Sequence, residues 1–164
     1  MTRFGNIIRR FQGDENGAAL VEAAITIPLV FLLSAGVFEF SNILNTRLLL
    51  EAGVEDAGRY MARCSSDWET CKGRAQNLAA SGAVTGGSAR VAGWLPPTVE
   101  ITKSLSTPAV DVATGTQLYL SSTTNVDVVD VSTSYSYPDV GFWSYLGFGA
   151  LTLRVSHQER VIGW

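Results

Sequence analysis

The most apolar part of the chain is residues 18–38, and mixed polar and apolar patterns follow it. These 21 residues contain one charge, Glu22. Because roughly 20 apolar residues cross a bilayer core as a helix, the run predicts a single membrane-spanning helix. Pro28 lies inside it and removes one backbone hydrogen bond, so a kink is expected there.

The short leader before this run, residues 1–17, is basic. Its arginines are Arg3, Arg9 and Arg10. Positive charges favour the cytoplasmic side of a crossing, so the N-terminus is predicted to lie inside and everything after Glu39 outside. A cleaved secretory signal ending near Gly36 is the main competing interpretation, although its apolar core is usually only about 7–15 residues long.

Beyond the predicted crossing, charged residues recur every four positions, which predicts that the helix continues to about residue 62. The polar stripe consists of Arg47, Glu51, Glu55, Arg59 and Arg63. An apolar stripe on another side consists of Leu50, Val54, Ala57 and Met61. Gly53, Ala57 and Gly58 supply small surfaces where another helix can approach closely. A helix over 18–62 would be about 65–70 Å long, so half of it would stand outside the membrane.

Residues 63–164 are predicted to form a separate outer domain. A short helix is expected within residues 72–84 and a loop over 82–97, which is rich in Gly, Ala and Ser. Four runs are typical of strands: Thr98–Ser104, Gln117–Ser121, Val126–Tyr137 and Leu151–Ile162. In the third, the phase changes at Val128–Val129, which indicates a bulge or a strand buried on both sides. The expected fold class is α+β: a long transmembrane helix, then a small antiparallel sheet with a short helix.

Two features of the outer domain have open interpretations. Six residues separate Cys64 from Cys71. On the outer side of a membrane a disulfide is the default, worth about 2–3 kcal/mol in the chain-entropy model, and free thiols are the alternative. The segment "YPDVGFWSYLGFGAL", residues 137–151, is called the aromatic connector below. Its aromatic residues either cap the sheet's core or form an exposed patch for the membrane surface or a partner subunit: Phe142, Trp143, Tyr145 and Phe148.

Composition and motifs do not favour an enzyme. The net charge of −3 and the charged fraction of 16% provide no basic field for nucleic acid. His157 lies far from the cysteines, and Asp127 and Asp130 lack the spacing of a calcium loop, so no metal, cofactor or small-molecule substrate is expected. We interpret His157 as a strand residue with a local hydrogen bond.

Glu22 is the anomaly of the apolar run, because a charged side chain at membrane-helix depth costs about 2.5–3.5 kcal/mol on insertion scales. Cleavage after Gly17 would create a partner, the α-amino group of Ala18, in the same chain or in a neighbouring one. In the alternative interpretation Glu22 snorkels to the cytoplasmic surface and has no specific partner.

The sequence around Glu22 resembles that of known protein families. "GAALVE" is similar to the processing signature of type IV prepilins, a glycine before the cut and glutamate as the fifth mature residue. The run "GAALVEAAITIPLVFLLSAGVFEFSNILNTRLLLEAGVEDAGRYMAR" resembles the TadE-like family, minor pseudopilins of the tight-adherence (Flp pilus) system, and "VSHQERVIGW" resembles endings in that family. Flp-type signatures often have Tyr or Phe after the glutamate, where this chain has Ala23.

The resemblance implies a non-enzymatic pseudopilin of the bacterial inner membrane with a periplasmic outer domain. A prepilin peptidase would cut between Gly17 and Ala18. The helix would then pack beside other pilins or pseudopilins and the pilus assembly platform, with Glu22 paired to the amine of an adjacent subunit. Three alternatives remain: a signal-anchored periplasmic binding domain that keeps residues 1–17, a secreted domain cut near Gly36, and an enzyme.

Overall fold

The computed structural model describes residues 15–119, 121 and 124–161. Most of the predicted leader (1–14), and with it Arg3, Arg9 and Arg10, lies outside the described residues, as does the final tripeptide "IGW". The elements are α1 (Glu15–Arg63), α2 (Trp68–Ser81), a 3₁₀ turn (Pro96–Thr98), β1 (Val99–Pro108), β2 (Asn125–Tyr137), α3 (Phe142–Tyr145) and β3 (Leu151–Arg160). The predicted α+β class is confirmed. By its contacts the chain divides into two units, 1–41 and 42–164.

Helix α1 confirms the predicted long helix. In its outer part, from Asn42 to Arg63, the predicted apolar stripe is buried: Leu50, Val54, Ala57 and Met61 are at most 4% exposed. Ile43, one heptad before Leu50, extends the same face into the core. The apolar stripe is therefore the face with which the outer part of α1 packs on the outer domain, as expected of an amphipathic helix that covers one side of a domain.

Helix α2 is set by its two caps. The Asp67 carboxylate accepts a hydrogen bond from the Thr70 amide at 2.9 Å, and this bond holds the pKa of Asp67 below its ordinary value. Gly82, at φ 78°, ends the helix by donating its amide to the Leu78 carbonyl. The short helix was predicted over residues 72–84; it begins earlier, at Trp68, because Asp67 caps it there.

Among the described residues, three strands form an antiparallel sheet in the order β1-β2-β3. The predicted irregularity at Val128–Val129 is present as a bulge, and the extra residue belongs to the neighbouring strand. Lys103 pairs with Val129 and Leu105 with Val128, which leaves Ser104 between them. The Ser104 hydroxyl bonds the Val128 carbonyl at 3.3 Å.

The predicted strand Gln117–Ser121 is wrong for its described residues; Leu120 lies outside them. Gln117 forms an isolated bridge with Val110, and the Leu118 and Tyr119 amides both donate to the Ala109 carbonyl. The turn that begins at Asp111 closes this loop tightly, and Leu118 and Tyr119 remain exposed. A short run with β-type residues does not make a strand unless its backbone pairs along the sheet.

The loop over residues 82–97, predicted as such, supplies the centre of the core. Trp94 is 1% exposed, and its indole Nε1 donates to the Thr133 hydroxyl at 3.1 Å. That hydroxyl donates to the Thr98 carbonyl at 3.0 Å. The Tyr135 hydroxyl donates to the Ala92 carbonyl at 2.7 Å, and burial raises the pKa of Tyr135. The loop is therefore fastened to β2 by side chains rather than by a backbone ladder.

Gly53 and Gly73 offer a matched test of this packing. A Cβ on Gly53 would lie 2.5 Å from Trp94 Cη2 and 2.6 Å from the Ala79 carbonyl oxygen, whereas a Cβ on Gly73 meets nothing within 4 Å. We expect Gly53→Ala to destabilise the outer domain by about 1–3 kcal/mol and Gly73→Ala to stabilise it by about 0.8–1 kcal/mol. Urea unfolding of both variants in mild detergent measures the difference. Equal effects of the two substitutions would contradict the packing described for Gly53.

Candidate functional site

The inner part of α1, residues 18–38, presents apolar side chains all around its circumference. Its most apolar 18-residue window has a mean hydropathy of 2.1, and none of that window is buried. Leu20, Phe31 and Phe38 are each more than 70% exposed. Within the part of the chain that the structure describes, one helix is long and apolar enough to cross a membrane. An apolar surface of this kind requires lipid or other helices around it.

The residues of the candidate processing site lie at the start of α1. The helix begins at Glu15, so the Gly17–Ala18 peptide bond falls in its first turn, where amides have no helical acceptor. Ala18 and Glu22 are four residues apart and therefore lie on one face. Both are exposed. Residues 18 and 22 are thus neighbours on consecutive turns of one exposed face.

Helix α1 continues without a break through Pro28 and Ser34. Pro28 lies inside α1, where its ring nitrogen cannot donate to the carbonyl one turn earlier. The Ser34 hydroxyl donates back to the Val30 carbonyl at 2.7 Å, which satisfies it within its own helix. Both are arrangements that a helix can keep in an apolar environment.

The polar stripe of α1 behaves as a solvated face. Arg47 and Glu51 are paired at 2.8 Å, and Glu55 and Arg59 form a second pair, with 42–60% of each side chain exposed. Exposed pairs of this spacing are worth about 0.3–0.5 kcal/mol. The small residues were expected to admit another helix. Gly53 admits helix α2 of the same chain, since the Ala79 carbonyl of α2 approaches it.

The predicted disulfide is present: Cys64 and Cys71 are bonded, with 6.0 Å between their Cα atoms. Cys64 follows the last residue of α1, and Cys71 lies in the first turns of α2. The bond therefore ties the end of the long helix to the next element.

The aromatic connector is partly buried and partly exposed, and its role as a patch for a membrane or a partner stays a prediction. Trp143 packs partly against the core, in edge contacts with Phe142 and Phe148 at 5.5 Å between ring centroids. Tyr145 and Phe148 remain 80% and 60% exposed. The indole Nε1 of Trp143 is buried and has no hydrogen-bond partner among the described residues.

The connector is held by Asp139. Its carboxylate accepts hydrogen bonds from the Ser144 amide at 2.8 Å and the Ser144 hydroxyl at 2.7 Å. The amide bond is the main reason that the pKa of Asp139 lies below its ordinary value. The exposed aromatic side chains are thus carried on a short helical turn with a defined anchor.

His157 and Asp127, two residues of types that catalysis or metal binding uses, have structural partners. His157 Nε2 lies 3.0 Å from the Glu159 carboxylate, as expected for a strand residue with a local hydrogen bond. Asp127 accepts hydrogen bonds from Lys103 and Ser106, and the Lys103 bond is the main cause of its lowered pKa. Among the described residues, no group of three or more His, Cys, Asp or Glu side chains is placed to hold a metal.

Two buried positions were not anticipated from the sequence. Glu39 is 2% exposed, although it had been assigned only to the outer end of the crossing. Arg90 pairs with Asp56 at 2.5 Å, which fastens the loop over 82–97 to α1. Phe38 and Phe40, the neighbours of Glu39, are 73% and 59% exposed, so its burial has no signal in the adjacent sequence, and neither has the pairing of Arg90.

The fold and the site define an α+β protein with one long N-terminal helix, consistent with a single-pass membrane protein or a signal anchor. Residues 17–59 match the family model described as TadE-like protein, and this segment is a TadE-like family domain. The family implies a role in tight-adherence pilus biogenesis and is generally non-enzymatic. Neither the curated proteins nor the solved structures gave a match.

Proposed function

We propose that the chain is a minor pseudopilin of the tight-adherence pilus, processed after Gly17 by a prepilin peptidase and assembled through α1. The single observation that carries this proposal is the family match, which begins at Gly17 itself. The mature chain would cross the inner membrane once, over residues 18–38, with its outer domain in the periplasm.

The position of the Gly17–Ala18 bond supports processing. A peptidase needs an extended backbone at the bond that it cuts, and the first turn of a helix is the part that frays most readily. Glycine before the cut leaves the backbone accessible, since it adds no side chain. Only the start of α1 would have to open, while the rest of the predicted crossing remains in the bilayer.

Glu22 and the new amine support assembly. After the cut, the α-amino group of Ala18 carries a positive charge at the start of α1, one helical turn from Glu22. In the membrane the cost of the carboxylate falls when the amine lies close to it. Pairing with the amine of an adjacent subunit would satisfy both charges and fix the axial register of the two helices.

Replacing Glu22 with glutamine tests the assembly step. The variant keeps the side chain's size and removes its charge, so cleavage is expected to continue. Recovery of the chain in cross-linked complexes with other pilins should fall about tenfold, the equivalent of about 1.4 kcal/mol. Glu55→Gln, a change on the exposed polar stripe, is the matched control and should leave recovery unchanged.

The rival interpretations predict other results for the same variant. A signal-anchored binding domain would keep Met1 and be unaffected by Glu22→Gln. A secreted domain cut near Gly36 would lack residue 22 altogether and be recovered free of membranes. Undiminished cross-linking by the Glu22→Gln chain would contradict the proposed pairing.

A further inference from the structure

We propose that the aromatic connector docks on the lipid surface of the membrane crossed by α1, with Tyr145 and Phe148 in the headgroup region. This inference rests on the proposed crossing at residues 18–38. It assigns a membrane-contacting surface to the outer domain, separate from the helix that anchors the chain.

β3 runs alongside the outer part of α1. A Cβ on Gly58 would lie 2.8 Å from His157 Cδ2, so these two positions are neighbours. The groove beside them is lined on α1 by residues that precede Gly58 (Arg47, Glu51 and Glu55) and on β3 by His157 and the three residues before it, Arg154, Val155 and Ser156. Moving back along β3 therefore moves back along α1, toward Asn42.

The start of β3 gives the position of the aromatic connector along α1. From His157 back to Leu151, the start of β3, is six residues, or about 20 Å. About 13 residues of helix cover the same length, so Leu151 lies near the level of residue 45. The connector precedes Leu151 and therefore lies at the Asn42 end of the outer domain.

A short segment of chain links the outer domain to the predicted crossing. The predicted span ends at Phe38, four residues before Asn42. Four residues reach at most about 14 Å even when fully extended. Asn42, at the connector's end of the outer domain, is therefore tethered to the last residue of the predicted span by a linker of that length.

The chemistry of the connector suits that location. From Val140 to Leu153 the sequence contains no charged side chain and no histidine. Tyr145 is 80% and Phe148 60% exposed, more than expected of large aromatic residues that face water alone. Trp and Tyr side chains concentrate at the headgroup level of membranes, where one end is apolar and the other meets polar groups.

The opposite end of the sheet supplies a matched control. Pro108 pairs with Asn125, at the far end of β2 from Tyr137, so the loop that follows Pro108 lies away from the connector. Val112 in that loop is 90% exposed. It is thus an apolar, exposed position at the distal end of the same domain.

The experiment uses the full chain in phosphatidylcholine vesicles, with an environment-sensitive fluorophore on Tyr145→Cys or on Val112→Cys. The native cysteines are disulfide-bonded and do not react with the label. Lipids with nitroxide headgroups should quench the label at position 145 strongly and the label at position 112 hardly at all. Flotation of the vesicles reports the anchor independently.

Each other outcome overturns the inference in a distinguishable way. If the chain floats and both labels report water, the crossing stands and docking is wrong. If the chain does not float, the crossing fails and docking fails with it. If position 145 becomes shielded only after another pilus protein is added, the connector is a protein-binding surface instead.

Discussion

Replacing Gly17 with leucine is expected to leave the chain at its full translated length in the inner membrane. The side chain would stand directly before the bond that the proposed peptidase cuts, where glycine leaves the backbone open. Because the variant keeps the rest of α1 and all of the outer domain, it should insert and fold normally. Intact mass of the membrane-derived chain should show loss of the mature form.

Gly13→Leu is the control for this effect. It makes the same change four residues earlier, inside the proposed leader, and should be processed as usual. A Gly17→Leu chain that still appears at the mature mass would contradict processing at Gly17. Loss of the mature form from both variants would indicate a general disturbance of the leader instead.

Trp94→Ala should cause the largest loss of stability in the outer domain. Trp94 is almost fully buried and contacts Gly53 of α1, and its indole bonds Thr133 of β2. Removing so large a side chain from a core costs about 3–5 kcal/mol, a substantial share of the total for a small domain. Urea unfolding followed by far-ultraviolet circular dichroism in mild detergent measures it.

Two further variants separate the contributions to this loss of stability. Trp94→Phe keeps most of the volume and removes the indole N–H, so its cost should be closer to the roughly 0.5–1.5 kcal/mol of a single hydrogen bond. Trp68, half-buried beneath the Lys103 ammonium, is the control, and Trp68→Ala should cost clearly less than Trp94→Ala. Equal losses at positions 94 and 68 would be inconsistent with a core centred on Trp94.

Features that depend on local spacing were predictable from the sequence. The apolar run at residues 18–38 and the four-residue recurrence of charges identified α1 and its buried face, because a helix brings such positions together without reference to the rest of the fold. The processing signature at Gly17 and Glu22 stays a prediction. The disulfide between Cys64 and Cys71 joins positions that the end of one helix and the start of the next bring together.

Features that depend on distant contacts were not predictable. The run at Gln117–Ser121 alternates like a strand, yet the turn at Asp111 closes it as a loop. Trp94 lies in a stretch whose composition indicates a loop, and only the approach of Gly53 and Thr133 makes it the core. Side chains far apart in sequence determine burial at such positions.

The amino terminus of the wild-type chain, purified from membranes, tests the central claim most directly. N-terminal sequencing together with intact mass should find a chain that begins at Ala18, seventeen residues shorter than the translated sequence. In that form Glu22 is the fifth residue, one helical turn from a free amine. A chain that begins at Met1, or one that begins near Val37, would contradict the account.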